Sequence, residues 1–267
     1  MIHIRSVAAI CVVTLSVTLT ITWPQSAESQ TPERQSSVDS SAASLIDRFL
    51  DYYDLPGFAM TVVRSQKPVF STASGIRSKD EPSPVTTQTV FSTASVTKLF
   101  TATAVMQLCE AGLLNLDSPV LEYLPYFKLR DTRYPRITVR QMLSHTSGMP
   151  DTDAEEFYSS WAHPTYADDA LENYVRSLDF VMLVADPGTE YYYSNMAYDV
   201  LADMVAKVSG QTFEDYIKQH ILEPMEMNNS SVDIREIDPN LLAAPHLLDK
   251  NLEFAVSDTI PYSRRHP

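Results

Sequence analysis

The hydrophobic pattern opens with an uncharged apolar run from Val7 to Ile21, preceded by His3 and Arg5 and broken by Trp23-Pro24. About 15 residues is short for a membrane span, which takes about 20, and suits the core of an export signal. Residues 1–27 therefore read as a signal peptide with cleavage after Ala27 or Ser29; the alternative is an uncleaved N-terminal anchor. Residues 28–40, rich in Ser, Gln, Thr and Pro, read as a flexible linker. Periodicity begins after it: Ala42, Leu45, Ile46, Phe49, Leu50 and Tyr53 recur at helical spacing until Leu55-Pro56-Gly57. Phe58–Arg64 and Val69–Ser74 then predict an antiparallel hairpin joined by Ser65-Gln66-Lys67-Pro68.

From Leu99 to Ala111 only Thr101, Thr103, Gln107 and Glu110 interrupt apolar residues, which predicts a buried helix apolar almost all round. Ser92 or Thr93 can cap its start, and Gly112 stands where a left-handed residue ends a helix. Beyond Leu113 the chain reads as helical and loop-rich, punctuated by prolines 119, 125, 135 and 150. Thr138-x-x-Gln141 has the form of a capping box. Ala197, Val200, Leu201, Met204, Val205 and Val208 predict an amphipathic helix ending at Gly210. Thr212-x-x-Asp215 opens another, carrying Phe213, Tyr216, Ile217 and Ile221 up to Pro224. The fold class is α/β, with an α/β start over 41–95 and a mainly helical part over 96–267.

Composition narrows the function classes. A net charge of −14 with no basic cluster argues against a nucleic-acid partner. Of the two cysteines, Cys11 lies in the signal and Cys109 in the apolar helix, so no disulfide framework exists. Export without disulfides suits a periplasmic or secreted protein, with membrane contact only through the N-terminal signal if it stays uncleaved. Gly-x-Gly-x-x-Gly, a P-loop and Gly-x-Ser-x-Gly are all absent, which leaves no case for a nucleotide or an α/β-hydrolase. The sequence gives no case for a metal or other cofactor. His145 could be a base or a ligand, but without ligand-spaced partners it reads as a hydrogen-bonded structural histidine. Acidic residues over Asp151–Glu156 and at Asp168, Asp169 and Glu172 lack the EF-hand pattern and read as a solvated face.

Candidate chemistry starts at Ser95-Val96-Thr97-Lys98. Residues i and i+3 share a helix face, so the Ser95 hydroxyl and the Lys98 ammonium can meet. A serine hydroxyl needs a base, and a lysine partly desolvated by apolar neighbours can serve or can assist a second base. Chance alone supplies roughly one such pair in a chain of this length, so the pair is informative only with a second motif. Tyr193-Ser194-Asn195, the one Tyr-x-Asn here, sits on the loop feeding the 197–208 helix. If that backbone is extended, Tyr193 and Asn195 point the same way.

Three phrases, in this order, carry a family resemblance: Ser92-Thr93-Ala94-Ser95-Val96-Thr97-Lys98, Leu143-Ser144-His145-Thr146-Ser147-Gly148-Met149 and Pro187-Gly188-Thr189-Glu190-Tyr191-Tyr192-Tyr193-Ser194-Asn195. Together they resemble the serine β-lactamase and penicillin-binding transpeptidase superfamily, in the branch of class C β-lactamases and D-alanyl-D-alanine carboxypeptidases. The resemblance implies an antiparallel sheet flanked by helices plus a mainly helical subdomain. It also implies an acyl-enzyme mechanism on a small-molecule or peptide substrate, whether a β-lactam, a D-alanyl peptide or a small ester. Ser95 would be the nucleophile and Tyr193 the base, its phenol acidified by Lys98; Asn195 would hold Lys98 and bind a substrate amide. The family's third motif, Lys-Thr-Gly or His-x-Gly on a late strand, is absent, and no glycine follows Gly210. The chain is thus expected to be a C-terminally truncated relative lacking the final strands of the sheet. A truncated, non-catalytic relative that binds peptidoglycan-like ligands or a partner chain is the alternative.

Overall fold

The computed structural model describes residues 32–152, 159, 162–248, 253–257 and 263. The signal read over 1–27 and the acidic residues Asp153, Glu155 and Glu156 lie outside them. No helix among the described residues is long and apolar enough to cross a membrane. Two compact units separate, one holding the described residues up to Thr89 with 243–257, the other those from Val90 to Leu242 with Ser263.

The first unit begins with helix α1 (Pro32–Tyr53), followed by strands β1 (Gly57–Arg64) and β2 (Lys67–Gly75). Helix α1 reaches into the segment read as linker because a proline is well placed at a first helical position and no breaker follows it. Its apolar stripe buries Ile46 and Leu50, and Phe49 meets Phe58 of β1 with ring centroids 6.3 Å apart. The β1–β2 pairing is antiparallel, as expected, but the turn is shorter than the four residues expected. Ser65 and Gln66 both take positive φ, 49° and 63°, the conformation that closes a two-residue hairpin with the right twist. A register shift between Val62 and Val63 absorbs the difference.

Two short strands, β3 (His246–Leu248) and β4 (Phe254–Val256), pair antiparallel inside the part read as mainly helical. They rejoin the first unit through Ala244 N–H donating to the Arg77 carbonyl and Lys79 N–H donating to His246 Nε2. Three residues per strand give too little alternation to be seen in sequence.

The second unit is helical. Helix α2 (Thr97–Glu110), α3 (Val139–Leu143), α4 (Ala170–Arg176) and α6 (Phe213–Ile217) all pack on α5 (Asn195–Ser209). Helix α5 is the hub because its stripe is continuous: Met196, Ala197, Val200, Leu201, Met204 and Val205 are all buried. Its ends follow the sequence, with Ser194 accepting from Ala197 N–H at one and Gly210 at φ 72° at the other. The capping box on α3 forms with both its bonds. Helix α6 is shorter than expected and passes into a π-helical turn over Lys218–Leu222. Helix α2 is not buried all round: Thr101, Ala104, Val105 and Leu108 are buried, while Leu99 and Met106 are 68% and 49% exposed. A helix apolar on every side still buries only the faces that meet neighbours, here those toward α5 and α6.

One polar residue of the hub is out of place. Asp203 is buried on α5, accepting from the Tyr126 hydroxyl at 2.9 Å. Burial, aided by the charge of Glu172, raises its carboxyl from 3.8 to about 6, against the bond from Tyr126 and the charges of Lys207 and Arg176. The folded state therefore holds this proton more tightly than the unfolded chain. The resulting stabilisation is fully present below the ordinary carboxylate range and lost as pH rises through about 6. Asp203→Asn keeps an acceptor for Tyr126 and cannot ionise. Its stability relative to wild type is expected to rise by up to about 3 kcal/mol between pH 4 and pH 8. Urea midpoints measured across that range check this, and a difference independent of pH would contradict it.

Candidate active site

Ser95 lies in a 3-10 turn, Ala94–Val96, that runs directly into α2. Neither Ser92 nor Thr93 caps it: Thr93 itself stands at the N-cap with no side-chain bond, because its backbone is αR rather than extended. Ala94 takes φ 45°, a left-handed conformation rare for a residue with a Cβ, which turns the chain sharply just before Ser95. Lys98 follows one turn on, and its Nζ donates to Ser95 Oγ at 3.3 Å.

The other half of the site comes from the start of α5. Ser194 is extended, with φ −144° and ψ 116°, so Tyr193 and Asn195 project to the same side. The Tyr193 hydroxyl reaches Ser95 Oγ at 2.7 Å, and Lys98 Nζ donates to Asn195 Oδ1. The same Oδ1 also accepts from Tyr193 Oη at 3.4 Å. All four residues expected to form the site, Ser95, Lys98, Tyr193 and Asn195, thus meet in one hydrogen-bonded cluster. Lys98 also faces two aromatic rings. Its Nζ lies 5.0 Å from the Tyr193 ring centroid and 5.5 Å from that of Tyr198. An amide oxygen and two ring faces thus surround its Nζ, and both suit a cation.

The loop from His145 to Asp151 locks the second half in place. Tyr192 N–H donates to the His145 carbonyl at 2.8 Å, and Ser194 N–H donates to His145 Nδ1 at 3.2 Å. Ser194 Oγ donates to the Pro150 carbonyl at 2.7 Å. The imidazole packs between Tyr193 and Tyr198, at 4.5 and 5.0 Å between ring centroids. Burial, and then the charge of Lys98, hold its pKa below the ordinary value, consistent with an Nδ1 that accepts a backbone N–H. His145 is thus hydrogen-bonded to the backbone of Ser194 and packed against both tyrosines. Among the described residues there is no group of three or more His, Cys, Asp or Glu side chains that could hold a metal ion.

Two neighbours of the site escaped the sequence reading. Asp151, read as part of a solvated face, accepts from both Asn195 N–H and Asn195 Nδ2, each at 2.8 Å. Tyr198 presents its ring to Lys98 and donates to the Leu143 carbonyl at 3.0 Å. Burial raises its phenol above the ordinary value. Tyr198 was findable, lying three residues beyond Asn195 on one helix face; Asp151 was not, since 44 residues separate it from Asn195.

The fold around this cluster is that of β-lactamases and penicillin-binding proteins. The octameric penicillin-binding protein homologue from Pyrococcus abyssi superposes with a TM-score of 0.72 at 29% identity, over 84% of this chain and 51% of that one. Residues 42–255 match the Beta-lactamase family, and the chain belongs to it. Among curated relatives, Protein flp of Staphylococcus aureus strain MW2 is 30% identical over 75% of this chain and 39% of its own length. Penicillin-binding protein 4 of Amycolatopsis lactamdurans is 32% identical over 67% of this chain and 45% of its own. The chain spans less than half the length of either.

Proposed function

We propose that this chain carries the acyl-transfer machinery of an exported serine hydrolase acting on a β-lactam, a D-alanyl peptide or a small ester. The observation that carries the reading is the convergence of Tyr193 Oη and Lys98 Nζ on Ser95 Oγ, at 2.7 and 3.3 Å, from two segments nearly a hundred residues apart. Ser95 Oγ bonds to the substrate carbonyl carbon as its proton passes to Tyr193 Oη, with Tyr193 entering the step as phenolate. The tetrahedral adduct collapses with cleavage of the C–N or C–O bond, and the leaving atom takes that proton. Water then adds to the ester, releasing the acid and returning a proton to Ser95 Oγ. Lys98 supplies positive charge beside the phenol, and Asn195 holds Lys98 through Oδ1. Asn195 Nδ2 spends one hydrogen on Asp151, and the second is the donor it offers a substrate carbonyl. The Ser95 N–H, in the first turn where helix N–H groups lack intrahelical acceptors, is one donor for the developing oxyanion. The signal-like N-terminus supports a periplasmic or secreted location. A covalent adduct of a penicillin or an ester-type phosphonate on Ser95, absent from Ser95→Ala, tests the reading.

A further inference from the structure

We propose that Asp151 is a positioning residue: it fixes the orientation of the Asn195 side-chain amide and, through it, holds Lys98 against Ser95. The inference rests on the acyl-transfer reading of the Ser95 site.

An asparagine amide can face either way, and its two ends differ in what they offer. Here both ends are determined by chemistry. Asp151 Oδ1 takes three N–H donors: Asn195 N at 2.8 Å, Asn195 Nδ2 at 2.8 Å and Thr152 N at 2.9 Å. A carboxylate oxygen accepts and cannot donate, so it requires the NH2 end of Asn195. The Lys98 ammonium donates and cannot accept, so it requires the oxygen end, which it has. A flipped amide would set NH2 against ammonium and oxygen against carboxylate. The same carboxylate also holds the first backbone N–H of α5, so amide and helix start are fixed together. Pro150 adds to this by accepting from Ser194 Oγ, which places Asp151 opposite Asn195. Without Asp151 only the Lys98 ammonium selects the orientation of the amide, and the acceptor that keeps Lys98 Nζ 3.3 Å from Ser95 Oγ is held less firmly.

Two readouts test this on the same variants. In 15N-labelled protein the Asn195 side-chain amide signal, assigned by its loss in Asn195→Ala, should move upfield in Asp151→Ala and keep its position in Asp151→Asn, which retains an acceptor. The rate of Ser95 acylation by a fluorophosphonate should fall about 10–100-fold in Asp151→Ala and largely recover in Asp151→Asn. In an Asn195→Ala background, Asp151→Ala should cost no more than about twofold further, since a residue acting through Asn195 has nothing left to position. An unmoved amide signal in Asp151→Ala overturns the proposal. So does an equal loss of rate in both backgrounds, which is what general damage to the fold would give. If the wild-type chain does not react at Ser95 at all, the acyl-transfer reading fails, and the amide signal still decides whether Asp151 orients Asn195.

Discussion

Lys98→Ala is expected to slow acylation of Ser95 by about 10²–10⁴-fold while leaving the chain folded. Lys98 Nζ is the cation shared by Ser95 Oγ and Asn195 Oδ1, and it faces the rings of Tyr193 and Tyr198. Under the proposed acyl transfer, truncation removes the charge that would favour proton transfer to Tyr193, and it leaves Asn195 Oδ1 with the longer bond from Tyr193 at 3.4 Å. Lys98 is half-buried at the open end of α2, so the fold loses little apolar contact. Lys98→Arg should not restore the rate, because a planar fork cannot occupy the place of a compact ammonium between an amide oxygen and two rings. Adduct formation timed by quenched mass spectrometry measures this. A rate within a few-fold of wild type for Lys98→Ala would remove Lys98 from the machinery.

The largest structural effect is expected at Gly148. Gly112 and Gly148 have nearly the same backbone, at φ 71° and 76°, so a Cβ meets similar torsional strain at both. Space separates them. A Cβ on Gly112 meets nothing within 4 Å, whereas on Gly148 it would lie 2.2 Å from the Ala185 carbonyl oxygen. That oxygen is backbone, and the segment behind it is pinned by Val184 N–H donating to the Gly148 carbonyl at 2.8 Å. Gly112→Ala should therefore cost about 1 kcal/mol, and Gly148→Ala about 2–5 kcal/mol as strain and overlap add. Gly148→Ala should also depress Ser95 reactivity, since the displaced loop carries both His145 and Asp151. Denaturant midpoints of the two variants give the comparison, and equal losses would show that backbone conformation alone decides.

Much of the site was legible because its signals are local. The i, i+3 spacing of Ser95 and Lys98, the extended Tyr193-Ser194-Asn195 step and the caps of α3 and α5 each depend on a few neighbouring residues. The structure places each as read. The contact across the site, Tyr193 to Ser95, was reached through family resemblance rather than spacing. What stayed hidden depends on the three-dimensional neighbours of a residue. Asp151 looks like any surface acid until α5 brings Asn195 against it, and Asp203 looks like a polar position of α5 until Tyr126 and the core close over it. The exposed side of α2 was misread for the same reason, since composition reports apolarity and not which faces find partners. The short β3–β4 hairpin and the N-terminal turns of α1 carried too little pattern to stand out.

The central claim is that Ser95 is a nucleophile. The most direct measurement is intact-mass analysis with peptide mapping after exposure to benzylpenicillin and, separately, to a fluorophosphonate, with Ser95→Ala as control. A single adduct is expected that maps to the peptide containing Ser95, is lost in Ser95→Ala, and is slowed in Lys98→Ala. A folded chain that neither probe modifies, or an adduct that survives in Ser95→Ala, would contradict the claim.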